Sequence, residues 1–593
     1  NTMIETEVLI VGSGPSGSAA ALFLSSYGIE VMVVTKHRWL ANTPRAHITG
    51  QRTMEILNEF GVGESLAANA VLNDIMGNTV FCETLAGNEI ARLKSWGAHP
   101  ERISDYRIAS PFLLCDIPQT YLEPIVLGKA LQNGAHAKFS TEYVRAVQDA
   151  DGVIVTVRDR LDNREYEIRA KYVIGADGAR SQVAADAALP MTGEENQAGC
   201  INIFFDADLA PLVQHRPSAI FLIFSRAAMA GGIGVGALRM VRPWHEWLGV
   251  WNYDINLPPP KLSADDATDI LKQMIGDYDT EIRVRSISTW TVNSRYATRY
   301  SNGRMFCVGD AVHRHPPNNG LGSNTSIQDS YNLAWKLAYV IKGQAGAGLL
   351  DTYSDERAPV GRGIVERAMK SIDESRTLSA ALGLDRGGLD DDYLTLGGEA
   401  GQRRREHYYR ALRAKNYEFN GHGTELNHLY RSAAIAPDPQ EPPPAEDPDL
   451  FCRFHSSFVA GARVPHVWLS SRGTQVSSLE LVGHGAFTVL TGIAGRAWAQ
   501  AATRCAAQLG LPVRAQVIGP GEAVEDLYGD LYARCGFDEA SCVLVRPDGH
   551  IAWIGVAPGD EAACTARLRE VLLPLLGLSR PVAHVVQADP AVH

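Results

Sequence analysis

The stretch from Glu7 to Val34 constrains this chain more than any other. Glu7-Val8-Leu9-Ile10-Val11 is a short β-branched apolar run, which is how a strand buried on both faces reads. Gly12-Ser13-Gly14-Pro15-Ser16-Gly17 follows at once, and Ser18 to Tyr27, rich in Ala and Leu, predicts a helix. Gly28 stops that helix and Glu30-Val31-Met32-Val33-Val34 predicts a second strand. This is a complete βαβ unit, in the roughly thirty residues such a unit needs. In that setting the glycines form a dinucleotide cradle. Gly12 makes the tight turn, Gly14 removes the Cβ that would block a pyrophosphate, and Gly17 lets helix and strand pack closely. Pro15 and Ser16 belong to the same contact turn, and the helix N-terminus offers its free N–H groups to the phosphates. The acidic residue that usually ends the second strand and binds a ribose is missing; Thr35-Lys36 stands there, a hydroxyl and a cation.

At 593 residues the chain is too long for one core, so two or three domains are expected. Asp plus Glu number 67 against 55 Lys plus Arg, and a net charge of -12 argues against a nucleic-acid backbone as partner. The nine cysteines are odd in number and form no CxxC pair, so neither a metal site nor a dithiol centre is expected. Unpaired thiols fit a reducing, cytoplasmic setting. No apolar run is long enough to span a bilayer, and the start lacks a signal-peptide pattern. From about 185 to 300 the chain is rich in β-type residues and carries Trp244, Trp247, Trp251 and Trp290, which predicts a separate sheet-bearing layer. Proline and acidic residues crowd 436–449 and predict a linker. Alternating strand and helix patterns beyond it predict a small α/β domain. Gly231 to Gly236 imitates a nucleotide loop, but no helix pattern follows it.

Three more motifs stand in order along the chain. The first is Pro44-Arg45-Ala46-His47-Ile48-Thr49-Gly50-Gln51-Arg52-Thr53-Met54-Glu55. The second is Gly175-Ala176-Asp177-Gly178-Ala179-Arg180-Ser181. The third is Gly303 through Ala311, followed by His313, Pro316, Pro317, Gly320, Gly322 and Asn324. Together with the opening glycines they resemble the class A flavoprotein monooxygenases, and within these the phenol-hydroxylase branch, over nearly the whole chain. The resemblance implies an α/β fold: a Rossmann-like FAD-binding domain (1–184 and 285–380) interwoven with a β-sheet substrate domain (185–284). A helical connection (381–435), the linker (436–449) and a thioredoxin-like C-terminal domain (450–593) complete it. With no CxxC, that last domain is expected to be structural or to make subunit contacts in a homo-oligomer, a dimer or higher.

The resemblance also implies chemistry. FAD is the expected cofactor, NADPH or NADH a transient co-substrate, and a phenol is hydroxylated beside its hydroxyl by O2 through a flavin C4a-hydroperoxide. Asp310 is expected to bind the ribityl chain. Pro317, Gly320, Gly322, Ser323 and Asn324 are expected to wrap the isoalloxazine and pyrophosphate, largely with backbone N–H groups. Asp177 and Gly178 resemble the motif that touches the flavin side and the reductant's approach. Arg45, Gln51 and Arg52 resemble residues near the ring and pyrophosphate, and Gln119 another pocket residue; Glu123 reads as a helix-surface charge. Asn319 and Ser326 stand where glycines are common. His47 is the candidate base for the phenol, with a loop-anchoring histidine as the alternative; His313 and His315 read as loop-shaping. Arg242, Trp290 and Pro316 are candidates near the substrate, with a salt bridge for Arg242 and core packing for the tryptophans as alternatives. Baeyer–Villiger chemistry and a catalytically silent flavin-binding protein stay open as rival readings.

Overall fold

A computed structural model describes residues 3–45, 48–224, 236–317, 320–384, 392–437, 449–454 and 456–578. His47, Asn319, all but the last glycine of the 231–236 loop, and most of the Pro-rich linker lie outside the described residues. The chain divides into two compact units. One comprises 1–334, 357–428 and 443–455, and the other 335–356, 429–442 and 456–593.

In the first unit, the opening apolar run is the strand Ile4–Val11, with Val8, Leu9 and Ile10 fully buried. It pairs in parallel with Val31–Val34 on one side and Glu165–Gly175 on the other, and the latter pairs with Met305–Cys307. The register sets Val34, Val11, Gly175 and Cys307 in one row. The turns beginning at Thr35, Gly12, Ala176 and Val308 therefore leave the sheet at one edge. The carboxyl ends of parallel strands are where such folds bind ligands.

The same unit carries a second, eight-stranded sheet, in the order 313–314, 283–297, 191–206, 246–253, 236–242, 218–223, 78–82 and 89–94. The substrate layer is thus wider than the expected 185–284. Asn78–Cys82 joins it by parallel pairing with Ser218–Ile223, and Arg283–Ala297 by a long antiparallel pairing with Met191–Asp206. Trp247, Phe205, Phe221, Leu238 and Met240 form its core with Leu271, Met274 and Ile275 from the helix Ala264–Ile275. Trp244 and Trp251 pack against that core. Trp290 packs on Ala198, Cys200 and Val292 and donates its Nε1–H to Asn202 at 2.9 Å. Trp247 is a core residue, and Trp244, Trp251 and Trp290 are half-buried against buried clusters.

The expected helical connection is divided. Residues through 428 belong to the first unit, where Tyr408, Ala411 and Phe419 join its core, and 429–437 belong to the second. In the second unit, Phe487–Gly492 runs parallel to Val513–Ile518, with the helix Arg496–Leu509 between them in sequence. Its other edge pairs antiparallel with Ser541–Val545, which pairs antiparallel with Ile551–Val556, and the helix Glu561–Leu575 follows. This is the strand and helix order expected of a thioredoxin-like unit. The turn before its first helix reads Ile493-Ala494-Gly495, without a cysteine, and all nine cysteines of the chain are buried and outside any disulfide. Lys336, Glu356, Arg546 and Asp548 form a fully buried ion cluster there: Arg546 bonds Glu356 at 2.6 and 2.9 Å, and Lys336 bonds it at 2.8 Å. Among the described residues no helix is long and apolar enough to cross a membrane.

Candidate functional site

The three cradle glycines separate by cause. Gly12 has φ +106, and a Cβ there would stand 2.1 Å from the Ala176 carbonyl oxygen. A Cβ on Gly17 would stand 2.0 Å from the Gly12 carbonyl oxygen. The chain itself forbids side chains at both positions. Gly14 has ordinary dihedrals, and a Cβ there would meet nothing within 4 Å. No atom of the described residues accounts for this glycine, whereas a pyrophosphate resting on the turn would. Gly14 is also the N-cap of the helix Pro15–Ser26, with no side-chain cap, so the first N–H groups are open to an anion. The turn is braced from behind, where Ser330 donates to the Ser16 carbonyl at 2.7 Å and Ser18 to the Ser13 carbonyl at 2.8 Å.

The loop after Met305–Cys307 is held by a residue that sequence reasoning missed. Asp329 accepts the Gly309 N–H at 3.1 Å, contacts the His313 ring at 2.6 Å and accepts from Arg357 at 2.7 Å. All three side chains are fully buried. Burial alone would raise the Asp329 carboxyl, but Arg357 and His313 hold it below the usual carboxylate range. Asp329 stands four residues before Leu333 and eight before Leu337, on the same apolar stripe of the helix Gly322–Ile341. An acid on a stripe that must be buried was the signal that could have found it. The loop so fixed leaves Asp310 exposed, its carboxylate without hydrogen bond or ion pair among the described residues.

Past this loop Pro316 is buried and Pro317 exposed, and burial together with His313 lowers His315. Gly320 has φ +63, and a Cβ there would press on Ile48 and Trp96 at 3.1 and 3.3 Å. Asn324 spends its side chain inside the protein. It donates to the carbonyls of Ile48 and Gly320, each at 2.9 Å, and accepts the Gly50 N–H at 2.8 Å. The backbone of Gly322 and Ser323, at the start of a 20-residue helix, is what remains for a ligand there.

The remaining expected contacts divide in the same way. Thr35 is buried with its backbone in the strand ladder, and Lys36 is exposed. Arg45 is exposed and makes no hydrogen bond or ion pair among the described residues. Gln119, half-buried, opens the helix Gln119–Gln132. Gln51, expected near the ring and pyrophosphate, lies with its side chain inside the protein. It is fully buried, donates to the carbonyls of Tyr106 and Phe112 at 2.7 and 2.8 Å, and meets the His422 ring at 3.0 Å, so its amide is used within the protein. Arg52 pairs with Glu55 and lies over the Tyr331 ring. Asp177 caps the short helix Gln182–Asp186 by accepting from Ser181 at 2.5 Å and from the Val183 N–H at 3.2 Å. Arg242 lies over the Tyr121 ring at 4.0 Å, an aromatic stack in place of the alternative salt bridge. Glu123, read as a surface charge, is buried on the helix face that carries Val126, Leu127 and Ala130.

Beside Ile48 a second set of groups converges that the sequence did not single out. The pair Ile48–Thr49 ladders with Cys115–Asp116, matching Ile48 to Asp116. Asp116 is fully buried, with Arg239 of the second sheet 3.5 Å away. Trp96, at φ +56 and almost fully buried, meets Phe419 edge to face. These contacts come from segments far apart in the chain, which is why no local pattern revealed them.

The open groups match what FAD needs: a bare turn at Gly14, a cation at Arg45 and an exposed carboxylate at Asp310, neither paired among the described residues, and a helix start at Gly322. Comparison with known proteins agrees. A family model described as an FAD binding domain matches residues 5–368, and one described as the C-terminal part of aromatic-ring hydroxylases matches 457–578. The chain is 46% identical to a 2,4-dichlorophenol 6-monooxygenase of Delftia acidovorans, covering 96% of this chain and 99% of that protein. It is 49% identical to a phenol 2-monooxygenase of a Pseudomonas species, covering 93% and 90%. Among solved structures, it is similar to the flavin-dependent monooxygenase PieE in complex with FAD and substrate, with a TM-score of 0.90 and 38% identity, covering 97% and 99%.

Proposed function

Because this chain belongs to the FAD-binding aromatic-ring hydroxylases, a family of flavoprotein monooxygenases, we propose that it hydroxylates a phenol beside the ring hydroxyl, with O2 and NADPH or NADH. The observation that carries the substrate class is that relatives at 46% and 49% identity, matched over at least 90% of both chains, bear the names of phenol hydroxylases. FAD is the cofactor, and once reduced it supplies the activated oxygen. In this reading the Gly14 turn and the helix start behind it hold the pyrophosphate with Arg45. Asp310 receives the ribityl hydroxyls, and the backbone from Gly322 to Asn324 borders the ring.

A phenol with a pKa near ~10 is mostly neutral at pH 7, so a group that accepts its proton makes the adjacent ring carbon a better nucleophile. His47 is that group in this reading. Support comes from its neighbour Ile48, which packs beside Gly320 and Trp96 and ladders to Asp116, where the cofactor loop and the second sheet meet. His47→Ala is expected to slow hydroxylation by about 100-fold or more, as loss of a general base does, while flavin reduction by the nicotinamide keeps its rate. Unchanged, fully coupled hydroxylation would remove His47 from the mechanism. A panel of substituted phenols and cyclic ketones, scored for product and not for NAD(P)H consumption alone, tests the reaction class; ester formation from a ketone with no phenol turned over would reverse it. A cytoplasmic homo-oligomer is the setting that unpaired buried thiols and the family resemblance favour, and light scattering of the holoenzyme tests the assembly.

A further inference from the structure

Glu123 has no part in the roles above, yet it is only 2% exposed. Its Oε1 accepts the Ala41 N–H at 3.3 Å, and its Oε2 is buried without a hydrogen-bond partner. A buried carboxyl lacking an ion pair is costly. Burial pushes this one up to about 7, although the Gln119 side chain, the Ala41 amide and the charge of Arg45 pull the other way. The neighbouring face of the helix is apolar, with Leu122, Val126 and Leu127 buried, so a leucine would satisfy packing at position 123. The carboxyl lies beside two places expected to face the cofactor. One is Gln119, a single turn earlier on its own helix. The other is the 41–45 loop, which ends in Arg45, without hydrogen bond or ion pair among the described residues.

We propose that Glu123 is a positioning residue for FAD: its carboxyl clamps the 41–45 loop to the first turn of the helix Gln119–Gln132, so that Arg45 and Gln119 reach the dinucleotide together. The second strand ends in Thr35-Lys36, without the acid that ordinarily anchors a ribose at that place. The fold therefore has one anchor fewer at this edge, and a clamp on the neighbouring cation and amide compensates. The clamp concerns FAD alone and is independent of which phenol is used.

The test titrates FAD into apoprotein, following flavin fluorescence, for the full-length wild type, Glu123→Gln and Glu123→Leu, with thermal unfolding of each apoprotein alongside. Gln keeps the acceptor for Ala41, so its FAD affinity should stay within about threefold of wild type. Leu fills the space without an acceptor. It should weaken FAD at least tenfold while the apoprotein melts no lower than wild type, since a buried carboxyl has been removed. In an Arg45→Ala background the Leu effect should shrink to less than threefold, because Glu123 acts through Arg45. FAD affinity unchanged by Leu, an equal loss with Gln, or full additivity with Arg45→Ala would each overturn the proposal. Leu failing to fold while Gln binds normally would assign Glu123 to folding and overturn it as well.

Discussion

Gly12 and Gly14 differ by two positions and by what a methyl group would strike. Gly12→Ala would drive a Cβ into the Ala176 carbonyl at a φ that L-residues rarely adopt, so the protein should lose stability, with the melting temperature falling by several degrees. Gly14→Ala places its Cβ in open space with ordinary dihedrals. Its apoprotein should melt like wild type, and only FAD affinity should drop, by tenfold or more in a fluorescence titration. Asp329 combines both kinds of effect. Replacing it by Ala removes the buried carboxylate that pairs with Arg357, a cost of about 3–5 kcal/mol for a broken buried ion pair, and releases Gly309 next to Asp310. Lower stability and weaker FAD binding should appear together in that variant, and chemical denaturation with a parallel FAD titration checks both.

Among the elements, the short helical stretch from Asn416 to Leu426 does more than connect. Phe419 accepts the Trp96 N–H at 2.7 Å, Asn420 bonds Gly97 at 3.1 Å and Lys94 at 2.7 Å, and His422 stacks on Tyr106 with ring centres 3.8 Å apart. Glu425 is half-buried in the same stretch, one oxygen buried without a hydrogen-bond partner among the described residues, and desolvation pushes its carboxyl up to about 8. The folded state then holds a proton that the unfolded chain has released between about pH 4.5 and 8, so this residue's contribution to stability declines as pH rises through that window. Glu425→Gln should gain stability over wild type on going from pH 5 to pH 8, read from denaturation midpoints at the two values; a constant difference would sink the assignment. The elements that the sequence made legible are those whose cause is local. The Glu7–Val34 unit and the Asp310 loop were readable because strand, turn and helix signals adjoin. Asn78–Cys82 was not readable as part of the substrate sheet, because its partner strand begins at Ser218. The inward bonds of the Gln51 side chain were not readable because its three partners, Tyr106, Phe112 and His422, are distant in sequence, and the burial of Glu123 was not because one charge beside a proline reads like a solvated face.

Across the whole molecule, charge buried without solvent recurs in both units. In the second, Lys336, Glu356, Arg546 and Asp548 balance to neutrality, two cations against two anions, with Ser432 adding a hydrogen bond to Glu356 at 2.5 Å. Glu356→Ala would remove one of the two carboxylates that face Lys336 and Arg546, and the unit should lose about 3–5 kcal/mol, seen as an earlier denaturation midpoint of tryptophan fluorescence. Buried thiols tell the opposite story: none is in a disulfide, so a reducing agent should leave the melting temperature unchanged. The row formed by Val34, Val11, Gly175 and Cys307 has a last consequence, for tolerance to insertion. Strands advance about 3.3 Å per residue and alternate faces. One residue added within Glu165–Gly175 would carry the Asp177 turn out of step with its three neighbours and turn its side chains over, while several residues added in the 160–164 hairpin would leave the row intact. The cofactor's address is thus written in the phase of four strands, and length can vary freely only where it leaves that phase alone.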